Sequence, residues 1–290
     1  MRASLALAPS WRACCVQTGI DFVDLSLIAG LVALGGCTGF LAGLLGIGGG
    51  MIIVPLLTFI FSRLGFAPHH LVHIAVATAT ATIMFTSIPS AREHHRHGAV
   101  RWRTVAGMAP GIVVGSLLGP QLVGGMSTSA LAGFFALFVT LSATQMLLDR
   151  KPKPSREMPG PAGMFGVGGG IGMISSMVGA GGGFLSVPFQ IWCNVPLRNA
   201  VATSAALGLP IAAAGTVGFI IAGLREADLP PYSLGFIYLP ALCSIVVGSV
   251  ISAPFGARAA HRWPVKLLKR IFACVLFLLA GYMLWKAINS

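Results

Sequence analysis

Carboxylate side chains are scarce in this chain. Asp and Glu together number 7 among 290 residues, and charged residues of both signs make up only 9%, against about 25% in soluble proteins. The acids fall at the ends of apolar segments or in the loops between them. Proton relays and many cation pathways through membranes use carboxylates within the apolar segments. Their scarcity therefore disfavours a cation as substrate and favours an anion, while leaving open sodium held by backbone carbonyls.

Catalytic and metal-binding patterns are missing as well. The 6 cysteines form no Cys-x-x-Cys pair, so neither a disulfide framework nor a zinc site is indicated. No Walker motif and no nucleophile elbow occurs, and the histidines of the basic loops lack accompanying carboxylate or cysteine ligands. We therefore expect no metal, no cofactor and no enzymatic activity. The enzymatic alternative is an intramembrane thiol enzyme that would use Cys37 or Cys243.

Apolar sequence, by contrast, is abundant. Hydrophobic residues make up 56% of the chain, and apolar stretches recur throughout with a length of about 20 residues, which is enough to cross the hydrocarbon core of a bilayer. The sequence predicts an all-α polytopic membrane protein, with the lipid bilayer as its surroundings and the cytoplasmic membrane as its location. Residues 1–20 are expected to form an N-terminal tail.

The basic residues are concentrated in short loops between the apolar stretches. The net charge is +12, which in a soluble protein would suggest a nucleic-acid partner. Here the charge lies at Arg92–Arg103, Arg150–Arg156 and Arg258–Arg270. This is the distribution of cytoplasmic loops under the positive-inside rule, so we expect no nucleic-acid partner.

One peptide pattern appears twice. Gly39–Pro55 and Gly172–Pro188 each contain a Gly-x-Gly-Gly-Gly sequence within an apolar segment. Paired glycine interruptions in two halves of a chain are the best sequence indication of a transporter's binding site. A break in a membrane helix frees backbone N–H and C=O groups, which then need hydrogen-bond partners. A break that occurs in both halves therefore indicates a functional role.

Other matches follow in the same order. Ala75–Thr78 recurs as Ala200–Thr203, and Ile112–Ser116 recurs as Ile245–Ser249. We therefore predict two transmembrane repeats, 21–148 and 163–290, joined by a cytoplasmic linker at 149–162. Each repeat should contain about five helical segments, including Gly-broken half-helices, with 8 or more full spans in total.

Loop charge indicates how the two repeats are oriented. The loop at 92–103 is strongly basic, whereas the equivalent loop Arg225–Asp228 carries more acids than bases. Equivalent loops of opposite charge are expected on opposite sides of the membrane. The repeats are therefore predicted to be inverted, with a parallel four-plus-four arrangement as the alternative.

The glycine breaks are the candidate anion site, because helix N-termini carry partial positive charge and unpaired N–H donors. Hydroxyls on the following helices could also donate to an anion, and an arginine nearby could attract one. The alternatives are that the glycines permit close helix packing, that the hydroxyls bond to their own helices, and that the arginine is an interfacial anchor. The predicted substrate-binding residues are Gly48, Gly49, Gly50, Gly181, Gly182, Gly183, Thr78, Thr203, Ser204 and Arg198.

The segments Gly46–Pro55, 179–188, Pro196–Ser204 and Ala214–Gly218 resemble the sulfite exporter TauE/SafE family of membrane transporters. The resemblance implies a secondary carrier that moves sulfite, sulfonates or related organosulfur anions by alternating access, with an anion channel as the alternative. The first repeat has Thr78 followed by alanine where the second has Thr203 followed by serine. Unequal ligand roles are therefore expected in the two repeats. The expected partners are a small anion, the bilayer and a second copy of the chain in a homo-oligomer.

Overall fold

The computed structural model describes residues 25–45, 49–148, 155–226, 228–260 and 265–289. The predicted N-terminal tail, Gly48 and residues 149–154 of the predicted linker lie outside this part of the chain. The described residues form ten helices and one short β-hairpin. The helices are α1 Leu25–Leu45, α2 Gly50–Arg63, α3 Leu71–Arg96, α4 Trp102–Gly124, α5 Thr128–Leu148, α6 Pro161–Val178, α7 Gly183–Trp192, α8 Leu197–Gly223, α9 Leu239–Ala259 and α10 Val265–Ile288.

The predicted all-α polytopic architecture is confirmed. Among the described residues, 8 helices are long and apolar enough to cross a membrane. The other two, α2 with 14 residues and α7 with 10, each follow a glycine break. The only strands in the described ranges are Ser233–Leu234 and Ile237–Tyr238, which pair antiparallel just before α9. The order of long and short helices is the same in the two halves of the chain.

Glycine conformation determines where the broken helices start. Gly49 precedes α2 with φ of 70°, and Gly182 precedes α7 with φ of 76°. Both angles lie in the left-handed region, which costs residues with a Cβ roughly 1–2 kcal/mol. Gly179 ends α6 in the same region, with φ of 67°. The chain thus leaves one helix and starts another within a few residues.

Helices of opposite halves pack through rows of small residues. In α1, a Cβ added to Gly39 would lie 2.4 Å from the carbonyl oxygen of Ser249 in α9. In α4, a Cβ added to Gly115 would lie 2.0 Å from the carbonyl oxygen of Gly169 in α6. Such close backbone approach is typical of small-residue helix interfaces in membranes. The α1–α9 and α4–α6 pairs are equivalent contacts, because each joins the first helix of one half to the fourth of the other.

The centre of the bundle is formed by α3 and α8, the equivalent third helices. Gly208 packs on Ser87, and Gly215 packs on Thr80. Residue numbers increase along α8 while those of the contacted residues decrease along α3, so the two helices run antiparallel. Opposite directions of equivalent helices are the arrangement that inverted repeats would have. The end of the bundle where α3 finishes and α4 begins is called the basic end below.

The orientation in the membrane is tested by reporter fusions. We expect fusions at Lys153 and Ser290 to report opposite sides, with Lys153 cytoplasmic, because the basic loops in the sequence indicate the cytoplasmic side. Alkaline phosphatase and green fluorescent protein fusions measure this directly, since each is active on one side only. The same side for both fusions would contradict the inverted arrangement.

Candidate functional site

A polar cavity lies between the central helices and the second glycine break. Its walls come from α1, α3 and α8 and from the break that precedes α7. The lining residues are Ala42, Thr86, Ser87, Ser90, Gly181, Ser204, Ala205 and Gly208. Hydroxyl groups and backbone therefore supply the polar surface of the cavity, and its lining contains no charged side chain.

Ser90 is the most informative residue of this lining. Its side chain is 3% exposed, and its Oγ has no hydrogen-bond partner within the described part of the chain. Leaving a buried polar group unpaired costs roughly 1–3 kcal/mol, so such groups are uncommon in native proteins. A hydroxyl of this kind on a cavity wall is available to a ligand that accepts a hydrogen bond.

The other walls supply a second hydroxyl and a helix start. Ser204 of α8 is buried and its Oγ accepts a hydrogen bond of 2.8 Å from Ser186 of α7. Gly181 lies two residues before α7 begins at Gly183. The first N–H groups of a helix have no carbonyl partner within that helix, and the helix dipole favours negative charge there. The cavity thus adjoins the electropositive start of a broken helix.

The two glycine breaks do not contribute equally. Gly50 packs against the backbone of the other break, since a Cβ at Gly50 would lie 1.7 Å from the carbonyl oxygen of Gly179. The breaks therefore meet, as predicted. However, the side chains around α2 are apolar and buried, among them Met51 and Ile53. Of the five predicted glycines that the structure describes, Gly181 is the one on the cavity lining.

Thr78 and Thr203 have an unexpected common role. Thr78 Oγ1 accepts a hydrogen bond of 3.1 Å from the N–H of Tyr238, which immediately precedes α9. Thr203 Oγ1 accepts one of 3.0 Å from the N–H of Arg101, which immediately precedes α4. Each threonine thus ties the fourth helix of the opposite half to the centre of the bundle. Neither is part of the cavity lining. These hydrogen bonds give both threonines a structural role, which is an alternative to the ligand role expected from the sequence.

We expect Thr203→Val to affect stability more than anion affinity. Valine keeps the shape of threonine but removes the acceptor, which leaves the Arg101 N–H without its partner at a cost of about 1 kcal/mol. Thermal unfolding in detergent should show a lower Tm, and calorimetric anion affinity should stay within about twofold. Thr58→Val is the matched control, because Thr58 is equally buried and its hydroxyl bonds only to Val54 of its own helix. A large loss of affinity with unchanged Tm would restore Thr203 as a ligand.

The predicted arginine lies away from the cavity. Arg198 is exposed in the first turn of α8 and is absent from the lining. Its equivalent in the first repeat, His73, is buried at the opposite end of the bundle, where Nε2 lies 3.0 Å from the carbonyl oxygen of Val123 and 3.1 Å from that of Met126. His73 therefore links α3 to the end of α4. Cys37 and Cys243 are exposed and also lie off the cavity.

One acid departs from the pattern of exposed carboxylates. Glu93, in the last turns of α3, is 7% exposed, and its Oε1 accepts a 3.0 Å hydrogen bond from Arg258 Nε of α9. The pair is neutral overall and joins the two halves at the basic end. Because Glu93 is paired and absent from the lining, the cavity keeps its uncharged hydroxyl character.

The sequence did not single out Thr86, Ser87 and Ser90. They follow the repeated Ala75–Thr78 motif on the same helix, but the second repeat has no hydroxyl at their equivalent positions (Ile211, Ala212 and Gly215). Most of the predicted site residues belong to duplicated motifs, whereas this hydroxyl cluster is not duplicated, so the repeat gives no indication of it. The available indication was the concentration of Thr and Ser at 78–90 in a helix that is otherwise apolar.

The fold and the site together indicate the class of membrane protein to which the chain belongs. A bundle of apolar spanning helices, two short helices after glycine breaks and a small polar cavity at one of these breaks are the features of a multi-pass membrane transporter. The comparisons with known proteins agree. The chain belongs to the sulfite exporter TauE/SafE family, whose model matches residues 31–283.

Relatives from distant organisms match nearly the whole chain. A protein of Haemophilus influenzae named as a probable membrane transporter is 36% identical over 91% of this chain and 99% of its own length. Proteins of the same description from Methanocaldococcus jannaschii and Bacillus subtilis are 25% and 27% identical, over 91% and 80% of this chain and over 98% and 89% of their own lengths. No solved structure gives a significant match.

Proposed function

We propose that the protein is a secondary carrier of the cytoplasmic membrane that moves a small oxyanion, such as sulfite, a sulfonate or a related organosulfur anion. The observation that carries the proposal is the hydroxyl-lined cavity at the start of α7. The family description names sulfite export, and the chemistry of the cavity fits that substrate class. Alternating access of two halves around one site is the mode of transport that such a fold supports.

The donor chemistry favours an anion. An oxyanion accepts hydrogen bonds, and the hydroxyls of Ser87 and Ser90 can each donate one. The Thr86 hydroxyl donates to the carbonyl oxygens of Thr82 and Ile83 in its own helix. Hydrogen bonds to charged groups contribute about 1.5–3 kcal/mol, against about 0.5–1.5 kcal/mol for neutral pairs. The start of α7 adds partial positive charge. A bound cation would face no carboxylate in this lining.

The lining of the cavity favours a small ion. Eight residues line it, and four of them are alanine or glycine, so the helices around it lie close together. Sulfite and the short sulfonates have a compact, oxygen-rich head that three or four donors can surround. The uncharged lining is suited to release as well, since an arginine or lysine partner would hold the anion more strongly.

Removing one donor tests the proposal. We expect Ser90→Ala to weaken oxyanion binding about tenfold, because one hydrogen bond to a charged group is lost and 1.4 kcal/mol corresponds to a decade. Isothermal titration of the purified protein with sulfite, sulfate, thiosulfate, taurine and sulfoacetate would identify the ligand and measure the change. Ser142→Ala is the control, because Ser142 is a buried serine of α5 that is absent from the lining.

Two results would contradict the proposal. One is that no member of the anion series binds the wild type. The other is that Ser90→Ala binds as tightly as the wild type and the Ser142→Ala control. Flux in proteoliposomes then distinguishes a carrier from a channel. A carrier should show saturable exchange of sulfite, whereas a channel would show single-channel currents in a planar bilayer.

A further inference from the structure

An ion pair between the two halves of the chain lies one helical turn from the cavity. Glu93 is three residues beyond Ser90 of the cavity lining, so the two side chains are neighbours on the surface of α3. The Oε1 of Glu93 accepts a hydrogen bond of 3.0 Å from the Nε of Arg258 in α9. Because α3 ends at the basic end, the pair lies on the basic side of the cavity.

Backbone contacts place α1 at the same level of the bundle. The Nε2 of His94 lies 3.1 Å from the carbonyl oxygen of Gly43, which adjoins the cavity-lining Ala42. A Cβ added to Gly43 would lie 2.8 Å from the backbone N of Ala257 in α9, the residue before Arg258. Direct contacts therefore join α1, α3 and α9 in one layer on the basic side of the cavity.

Positive charge exceeds negative charge in this layer. Besides the contact with Arg258, the Oε2 of Glu93 lies 3.7 Å from the Nη1 of Arg96, and its Oε1 lies 4.0 Å from the Nδ1 of His97. In the described part of the chain, two arginines thus share this carboxylate. The cluster keeps a positive charge even when His97 is neutral, and it attracts anions from the aqueous phase.

The carboxylate bound to Arg258 indicates which ligands this arginine can take. A carboxylate is an oxyanion, and a guanidinium group binds carboxylates and sulfur oxyanions through the same N–H donors. Arg258 lies in the last turn of α9, and its side chain is 52% exposed, against 9% for that of Glu93. A dissolved anion can therefore reach the guanidinium group while the carboxylate stays covered.

The repeat does not duplicate this ion pair. In the alignment that the shared motifs give for the two halves, Glu93 corresponds to Gly218 and Arg258 corresponds to Gly125. The equivalent positions toward the opposite end thus carry no charge. A role of the pair in transport would therefore act on one side of the membrane only.

We propose that Arg258 is an entry site at the basic end, where an oxyanion takes the place of the Glu93 carboxylate before it moves on to the cavity. Glu93 is then an internal competitor, which returns to the guanidinium group when the anion leaves. The released carboxylate keeps Arg96 as a partner, which limits the cost of a buried charge. The proposal rests on the function proposed above, because it names the residue through which the same anions reach the hydroxyls.

Exchange kinetics from each side of the membrane test the entry site. In proteoliposomes of known orientation, Arg258→Gln should raise the KM for sulfite at the basic side about tenfold, because a charged hydrogen-bonding partner is lost. The KM at the opposite side should stay within about twofold. Glu93→Gln removes the competing charge and should lower the KM at the basic side several-fold.

Two further variants separate anion binding from other effects of charge. Arg103→Gln is the matched control, because Arg103 is an exposed arginine in the first turn of α4 at the same end. Long-range attraction alone would make its effect equal to that of Arg258→Gln. The double variant Glu93→Gln/Arg258→Gln leaves neither buried charge unpaired. It should recover the wild-type Tm but keep the high KM of Arg258→Gln.

Arginine modification gives a measurement that needs no transport. Phenylglyoxal should modify Arg258 several-fold faster in Glu93→Gln than in the wild type in detergent. Sulfate should slow the modification of Arg258 and leave that of Arg103 unchanged, as measured by peptide mass spectrometry.

Two results would overturn the entry site. One is that sulfate protects Arg258 no more than Arg103, and the other is that the double variant has the wild-type KM, which would make the pair purely structural. Both are distinct from failure of the proposed function, which would appear as absent anion binding by the wild type or unchanged binding by Ser90→Ala.

Discussion

We expect Gly50→Ala to prevent the protein from folding. Its Cβ would lie 1.7 Å from the carbonyl oxygen of Gly179, far inside van der Waals contact. The clashing atom belongs to the backbone of the other glycine break, where the chain is already held by the left-handed Gly179. No rotamer change can relieve the overlap, so the two breaks would have to separate. The cost should exceed about 4 kcal/mol, at the extreme of single substitutions.

Fluorescence-detected gel filtration measures this effect as the yield of monodisperse protein. Gly30→Ala is the matched control, since Gly30 lies in α1 and has no atom within 4 Å of an added Cβ. There alanine should be neutral or stabilise the helix by up to about 1 kcal/mol. A wild-type yield and Tm for Gly50→Ala would show that the two breaks need not touch.

Gly182→Ala should instead leave a folded protein that binds anions at least tenfold more weakly. The left-handed φ of 76° disfavours alanine by roughly 1–2 kcal/mol. The added Cβ would lie 2.4 Å from Ile211 Cδ1, which is the flexible end of a side chain and can move. The break then relaxes away from its native angle, which displaces the neighbouring Gly181 on the cavity wall. A tenfold weaker affinity corresponds to about 1.4 kcal/mol.

The control for Gly182→Ala separates backbone strain from loss of the site. Gly65 has the same φ of 76° and open space around it, in the loop between α2 and α3. Gly65→Ala should lower Tm to a similar extent and leave oxyanion affinity unchanged. Titration and thermal unfolding of both variants measure the difference. If the two variants bind equally well, the second break is structural and the donors lie elsewhere on the cavity wall.

The repeated motifs indicate which residues are important but not what each residue does. Duplication correctly indicated that the glycine breaks meet at the centre, because both copies interrupt spanning segments at the same point. For Thr78 and Thr203 duplication indicated importance, and the structure gives each a duplicated contact with the start of a distant helix. A residue that is duplicated for a structural contact and one that is duplicated for ligand binding produce the same repeated motif in a sequence. Only the position of the partner atoms distinguishes them.

Composition, the lengths of the apolar stretches and the repeated motifs by themselves determined that this is a polytopic membrane protein, the order of long and short helices and the positions of both breaks. Local chemistry is sufficient for these, since an apolar stretch must be helical in lipid and consecutive glycines end a helix. The tertiary structure decided which break borders the cavity and which hydroxyls line it. Ser90 and Ser204 come from different halves, and their proximity depends on the antiparallel packing of α3 and α8. No local pattern encodes that contact, because it arises from the fit of small residues across helices that are distant in the chain.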